Sequence, residues 1–173
     1  MKHITFFILL VSGMILSPAI QVSAQAFQWA KNFGGTFSDE AYAVTVTNGN
    51  AIYVTGSFYD SGQFGPDNLV SAGDKNIYVA RFDDSGNILW AVQAGGPADD
   101  RANDITADSL GNIYITGFFS QTATFGQYTI TAVGDLDLFI ARYSPLGVCE
   151  WVASVSLFRK EANVFVMDCC TAS

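Results

Sequence analysis

Pairs of adjacent acidic residues are the positions in this sequence where chemistry could first be sought. Asp39-Glu40 and Asp99-Asp100 each place two carboxyl groups side by side, and paired carboxylates can serve as general acid and base. Each copy of a 61-residue repeat carries one such pair, with Asp39 matching Asp100, whereas catalysis usually needs one asymmetric site. We therefore predict a structural role for these acids.

Other acidic residues lie beside glycines and turns, where their oxygens could bind a cation. Asp74 and Asp135 follow a glycine just before a predicted strand, and Asp137 is added in the second copy. Residues 83–87 lack the alternating acids and the distal glutamate of a calcium loop, and their spacing to Trp90 differs from that of a sialidase Asp-box. Turn and cap roles, in which the side chains accept bonds from backbone N–H groups, are favoured for all of them.

Cysteine and histidine content limits nucleophilic and imidazole chemistry. Cys149, Cys169 and Cys170 lie in or near the C-terminal segment and have no metal-ligand spacing. The single histidine, His3, falls in a predicted leader, so the rest of the chain cannot form a Ser-His-Asp or Cys-His pair. We predict no catalytic, cofactor-binding or metal-binding residue, no cofactor and no enzymatic activity.

Three tryptophans, Trp29, Trp90 and Trp151, stand 61 residues apart. They could be sugar-stacking platforms if they are exposed, but their regular spacing fits core packing between repeats better. Asp108-Ser109-Leu110, in a predicted turn, resembles a short O-glycosylation signal of Bacteroidetes.

Composition excludes two broad classes. Half of the 173 residues are hydrophobic and 14% are aromatic, so the chain can bury enough surface to offset its ordering entropy and is not a disordered polymer. The formal net charge is −8, with eight Lys and Arg. A phosphate backbone needs a basic surface, so a nucleic-acid partner is not expected.

The N-terminal residues 1–24 have the layout of a secretory signal peptide. Lys2 and His3 form a basic region, the stretch that follows to Ile20 is largely apolar, and small residues at 22–24 and 24–26 offer two cleavage frames. A retained transmembrane anchor is the alternative, but it needs roughly 20 apolar residues and this run is slightly short. We expect cleavage, no membrane span afterwards, and a secreted or cell-surface location.

A 61-residue repeat is the main pattern of the sequence. Between the tryptophans the two copies align without a gap, and their double-glycine, Thr-Gly and Gly-Asp elements fall in register. The predicted units are a signal peptide at 1–24, the start of an outer strand at 25–28, repeats at 29–89 and 90–150, and a degenerate partial repeat at 151–173.

Alternating apolar residues within each copy predict β-strands. The predicted strands are 41–47, 51–58, 76–82 and 88–94 in the first copy, and 102–107, 113–119, 138–143 and 148–154 in the second. Turn formers separate them. A further short strand is predicted at 128–131, and an outer strand at 27–33.

Four short antiparallel strands per copy, repeated in tandem, predict the blades of a β-propeller, because stacked blades cover one another's sheet faces. A β-sandwich or a β-solenoid is the alternative, but a sandwich does not predict tryptophans in register. The expected fold is all-β, with four-stranded antiparallel blades in an incomplete ring of two full repeats and part of a third.

The strings AFQWAKNFGGTFSDEAYAV, NAIYVTGSF and GDKNIYVARFDDSGNILWAVQAGG resemble the bacterial repeats named for a seven-bladed β-propeller. The likeness covers residues 27–151. The sequence of the second copy, in which TATFG is followed by AVGD, is similar to repeats of secreted Bacteroidetes proteins. This resemblance implies a secreted or surface propeller and no single reaction.

The third unit departs from the pattern, since Val155-Ser156-Leu157-Phe158 stands where a double glycine should follow Trp151. Propellers have roughly 4 to 8 blades, more than two repeats supply. We therefore expect a truncated or frameshifted piece of a longer protein, whose unpaired edges associate with other blades.

The function expected from the sequence is that of a noncatalytic, secreted scaffold that binds a protein or a glycan. A fragment of a propeller-bearing glycan hydrolase or lyase is one alternative. A structural repeat of a large adhesin is another.

Overall fold

The computed structural model describes residues 28–157 and 167–171. Over these ranges the regular structure consists of β-strands, without a helix. In chain order the strands are β1 (Gly34–Gly35), β2 (Glu40–Val46), β3 (Ile52–Phe58), β4 (Ser61–Phe64), β5 (Asp67–Val70), β6 (Asn76–Phe82), β7 (Ile88–Gly95), β8 (Arg101–Ala107), β9 (Ile113–Phe119), β10 (Thr122–Phe125), β11 (Tyr128–Thr131), β12 (Asp137–Tyr143), β13 (Cys149–Leu157) and β14 (Met167–Thr171).

Two four-stranded antiparallel blades form the body of the protein. Blade 1 has the spatial order β7-β6-β3-β2, and blade 2 has the order β13-β12-β9-β8. In each blade the strands stand in chain order from first to last, and the connection between the two middle strands carries a further hairpin, β4–β5 in blade 1 and β10–β11 in blade 2. Strands β2, β3 and β6 of blade 1 contact β8 of blade 2, so the blades pack face to face. The all-β, propeller-type fold expected from the sequence is confirmed, and the ring is not closed.

A second hairpin in each repeat reaches back to the preceding outer strand. Strand β10 pairs with β11 and also with the end of β7, where Thr124 stands opposite Gly95. Strand β4 does the same with β1, where Gln63 stands opposite Gly34. The two pairings are 61 residues apart, so β1 occupies the place that the end of β7 holds one repeat later.

The predicted strands agree with the observed ones to within a few residues, and the short strand at Tyr128–Thr131 is confirmed as β11. Strands β1, β4, β5, β10 and β14 were not predicted, because two to five residues show little alternation. Strand β11 is equally short, but its residues are all aromatic or β-branched. The predicted outer strand at 27–33 differs from the structure. Residues 28–33 form no strand, and pairing begins only at Gly34, because no neighbouring inner strand stands beside them in the described chain.

The sequence repeats and the structural blades are offset. Blade 1 spans residues 40–95 and blade 2 spans 101–157, whereas the repeats counted from tryptophan begin at 29 and 90. The first strand of each sequence repeat is therefore the outer strand of the preceding blade. Strand β14 pairs with the outer edge of β13. The predicted signal peptide, Phe27 and residues 158–166 lie outside the described residues.

The main apolar core lies between the two blades. It joins one face of blade 1, including Tyr53, Ile77 and Val79, to the facing side of blade 2, including Ile105 and Ile115. A smaller core lies under the β4–β5 hairpin of blade 1, with the members Phe58, Phe64, Leu69, Tyr78, Ala80, Phe82 and Ala91. Phe33 covers this second core, with its ring centroid 5.5 Å from those of Phe64 and Phe82.

Candidate functional site

The acidic pairs are not equivalent to one another in the structure. Asp100 is fully buried; its Oδ2 accepts a bond from the Gly96 backbone nitrogen at 2.6 Å and its Oδ1 accepts one from Ser120 at 3.1 Å. Asp39 makes the matching bond to the Gly35 nitrogen at 2.6 Å, in an exposed setting. Each aspartate therefore fastens the double glycine that precedes it, and this is a structural use of the carboxylate.

Burial raises the pKa of Asp100 to about 6, although the bonds from Gly96 and Ser120 favour the carboxylate. An unfolded aspartate has a pKa of about 3.9. Between these two values the folded chain binds more protons than the unfolded chain, so the stability that this group contributes falls as the pH rises from about 4 to about 6.

We expect the Asp100→Asn variant to lose this pH dependence. The free energy of unfolding of the wild type, minus that of the variant, should fall by about 2 kcal/mol between pH 4 and pH 7. Urea titrations of both proteins at each pH measure this difference, and the other carboxylates cancel because both proteins share them. A difference that stays constant or grows with pH would contradict a raised pKa.

The acids at turns are bonded to their own loops. Asp83 Oδ1 accepts bonds from the backbone nitrogens of Ser85 and Asn87, at 2.9 and 2.8 Å. Asp108 makes the same pattern with Leu110 and Asn112, at 2.9 Å each. The bond from the Asn87 amide lowers the pKa of Asp83, and the bond from Asn112 lowers that of Asp108. Both carboxylates serve turns between strands.

The remaining acids singled out in the sequence are dispersed. Asp74 accepts a bond from the Lys75 backbone nitrogen at 3.0 Å and is exposed, as is Asp135. Asp137 is buried and accepts bonds from the Val133 nitrogen at 2.8 Å and the Ser156 hydroxyl at 2.6 Å. In the described part of the chain, no three His, Cys, Asp or Glu side chains come together as metal ligands.

The tryptophans link one blade to the next. The Trp90 Nε1 donates to the Pro145 carbonyl at 3.3 Å, and its ring lies on Gly147 in the last turn of blade 2. Trp29 does the same one repeat earlier, donating to the Asp84 carbonyl at 2.9 Å and lying on Gly86. Both glycines have positive φ, +78° and +81°, and a side chain there would strike the indole. The 61-residue spacing thus reflects packing between blades.

Cys149 is buried with a free thiol, and burial raises its pKa to about 11. A protonated, enclosed thiol is a poor nucleophile. Cys169 and Cys170 belong to strand β14, and their side chains lie outside the described part of the structure. The Asp108-Ser109-Leu110 signal lies in the turn between β8 and β9, as predicted, with Ser109 exposed.

A polar and aromatic cluster, here called the junction cluster, bridges the two blades at the end where β2 and β8 begin. The Lys75 Nζ lies 2.9 Å from Glu40 Oε2, and Glu40 also accepts a bond from the Tyr42 hydroxyl. From blade 2, the Arg101 Nη1 donates to that hydroxyl at 3.1 Å. Tyr59 and Phe118 complete the cluster.

Aromatic rings hold the two cations of the junction cluster. The Arg101 guanidinium lies 4.6 Å from the ring centroid of Phe118 and 5.2 Å from that of Tyr42, and the Lys75 ammonium lies 5.2 Å from that of Tyr59. The bond from Tyr42 lowers the pKa of Glu40, and the bond to Glu40 raises the pKa of Lys75. The ionised forms are therefore favoured in a partly exposed setting with several donors and acceptors.

The junction cluster departs from the repeat. One repeat later, Asn103 stands for Tyr42, Ser120 for Tyr59 and Leu136 for Lys75. Of its members, the sequence prediction had named only Glu40, as half of an acidic pair. The signal that could have found the others is the loss of identity at these positions between two otherwise similar copies.

One face of blade 1 is open. A groove of about 390 Å³ runs along it, lined by the segment 29–33, by Tyr42 and Ala43, and by a set of apolar side chains, here called the blade-1 face: Ala41, Val44, Ile52, Val54 and Phe82. The matching positions of blade 2 are all buried, at Ala102, Ile105, Ile113, Ile115 and Tyr143. The groove is thus the side on which a preceding blade would stand.

Among the described residues, no helix has the length and apolar character to cross a bilayer.

Two comparisons bear on the fold. Residues 89–117, from the outer strand of blade 1 through most of β9, match the family described as "Beta-propeller repeat". An uncharacterized WD repeat-containing protein, L264, of Acanthamoeba polyphaga mimivirus is 25% identical over 159 residues, covering 74% of this chain. The match spans 11% of that relative's length. Together with the paired antiparallel blades, these matches support a chain built from β-propeller repeats.

Proposed function

We propose that this chain is a noncatalytic, secreted β-propeller repeat scaffold that binds a protein or a glycan at the cell surface or outside the cell. The more general statement, that the chain is a repeat scaffold, is supported by its two blades and by the two matches. The basic and apolar layout of residues 1–24 supports export. The match spans only a small part of the relative's length. The noncatalytic role and the binding of a protein or a glycan are therefore proposed for this chain and are not taken from that relative.

The junction cluster is the observation that carries a binding role. Repeat positions that serve the fold keep their residues, such as Asp39 and Asp100 at the double glycines. The junction cluster instead changes between copies while presenting a partly exposed tyrosine, Tyr42, beside fixed charges. Aromatic rings beside charged and hydrogen-bonding groups are typical of recognition surfaces.

Binding can be tested on protein and glycan arrays with the purified chain and two variants. The Tyr42→Ala variant should bind about tenfold more weakly, because it removes the ring and the hydroxyl that Arg101 and Glu40 share. Phe37→Ala is the matched control, since Phe37 is an exposed aromatic outside the cluster, and it should bind like the wild type.

Three outcomes would contradict the proposal. Binding to none of the arrayed molecules would remove the scaffold role, and equal loss in both variants would remove the junction cluster as its site. Release of reducing sugars from a bound glycan would contradict a noncatalytic role. Export is checked separately by the mass of the product recovered outside the cell, which should begin near Gln25.

A further inference from the structure

We infer that the open blade-1 face binds blade 2 of a second copy of this chain, in the arrangement that joins blade 1 to blade 2 within one copy. This inference concerns self-association and does not depend on the ligand proposed above.

The first argument is the difference in exposure at matching positions. Val44 on the blade-1 face is 63% exposed, whereas Ile105, its counterpart in blade 2, is 5% exposed. Ile52 and Val54 are partly exposed, and their counterparts Ile113 and Ile115 are fully buried. What buries the blade-2 residues is the packing of blade 1, and within residues 28–157 and 167–171 no blade covers the blade-1 face in the same way.

The second argument is that the described part of the chain leaves the complementary surface open as well. Blade 1 covers blade 2 with a face that includes Ile77, which is fully buried. The matching free face of blade 2 consists of Tyr114, Leu138, Ile140 and Trp151. Leu138, the counterpart of Ile77, is 41% exposed. One chain therefore presents both halves of an interface that it already forms internally.

We expect a second copy to fill the groove, because the free face of its blade 2 resembles the face of blade 1 that packs on blade 2 within one copy. The internal interface pairs these two types of face, and blade 2 presents the same residue types at the same register as blade 1. Such a head-to-tail contact uses different surfaces on the two copies.

The segment 29–33 competes with the second copy. Trp29 lies on Gly86 as Trp90 lies on Gly147, so this segment occupies the place of an outer strand. The outer strand β13 of a docked copy, with Trp151, would need the same place. Residues 28–33 belong to no strand, so they give way first. Strand β1, which holds the place of an outer-strand end beside β4, must give way with them where the end of β13 pairs.

Sedimentation velocity of the purified chain across micromolar concentrations tests the inference. The wild type should associate. Val44→Asp and Leu138→Asp should each weaken association at least about 100-fold, because either one buries a charge in an apolar contact. Leu110→Asp, at an exposed leucine in the β8–β9 turn, is the matched control and should associate like the wild type. Trp29→Ala should associate more strongly, because the competing segment loses its anchor.

Mixing the two disabled variants isolates the head-to-tail geometry. Val44→Asp keeps an intact blade 2 and Leu138→Asp keeps an intact blade-1 face, so an equimolar mixture should form a one-to-one dimer although each variant alone is monomeric. Circular dichroism establishes that both variants are folded. A monomeric wild type, association that survives both substitutions, a mixture that stays monomeric, or weaker association of Trp29→Ala would overturn the inference.

Discussion

Replacing Gly117 with alanine is expected to lower the free energy of unfolding by about 3 kcal/mol or more. Gly117 lies in β9 opposite the irregularity between Ala102 and Asp104 of β8, where the two backbones come unusually close. A Cβ there would collide with the Arg101 carbonyl oxygen and would lie 2.8 Å from the Ala102 Cα. Backbone atoms cannot move aside as a flexible side chain could, so the two strands must separate.

The same geometry recurs at Gly56 in blade 1, where an added Cβ would strike the Glu40 carbonyl. This explains why Thr-Gly repeats in the sequence. Gly134→Ala is the matched control, because nothing lies within 4 Å of the added methyl group, and it should change stability by less than about 0.5 kcal/mol. Chemical denaturation measures both variants, and equal stability of Gly117→Ala and Gly134→Ala would disprove the close approach.

Replacing Asp100 with alanine is expected to cost about 3 kcal/mol at neutral pH, because two backbone N–H groups lose their acceptor. Gly96, one of the two donors, is buried, as is Asp100 itself. Water can reach such a site only poorly, so the lost bonds are not replaced. The backbone nitrogen of residue 100, which donates to the Lys75 carbonyl at 2.9 Å, is kept in the alanine variant, so the cost reports the side-chain bonds alone.

Asp39→Ala provides the matched comparison within the same chain. Asp39 stands one repeat earlier and makes the same bond to a glycine nitrogen, but Gly35 is exposed. Water can replace the lost acceptor there, so the expected cost is about 1 kcal/mol or less. Thermal and urea unfolding of the two variants check this. If both substitutions cost the same, burial is not what makes the Asp100 bonds important.

Much of the fold was predictable from local pattern. The eight long strands alternate apolar and polar residues, and glycines or short polar runs separate them. The two repeat copies align in register with a period of 61 residues, and such a repeat of short strands predicts stacked blades. The short strands β1, β4, β5, β10 and β14 were not predicted because two to five residues show little alternation, whereas β11 was predicted from its aromatic and β-branched residues. An outer strand was predicted at 27–33 because these residues match those of β7 one repeat later, but a strand needs a partner as well as a pattern.

The candidate site was less predictable than the fold. Carboxylates were considered first because they can act as acids and bases. In the structure, Asp83, Asp100 and Asp108 instead accept hydrogen bonds from backbone N–H groups. Tyr42 and Arg101 were not predicted as site residues, because they are 59 residues apart in the chain. They meet only because β2 and β8 pack side by side, and no local pattern encodes that contact.

The sequence by itself determined the β character, the 61-residue module and the tryptophan spacing, because these follow from residue types at short or regular intervals. The tertiary structure decided which copies of the module are covered. Val44 and Ile105 are similar residues at the same repeat position, yet one is exposed and the other is buried. Burial depends on which residues lie beside a side chain in space. The repeated sequence does not specify whether another blade packs against a given copy.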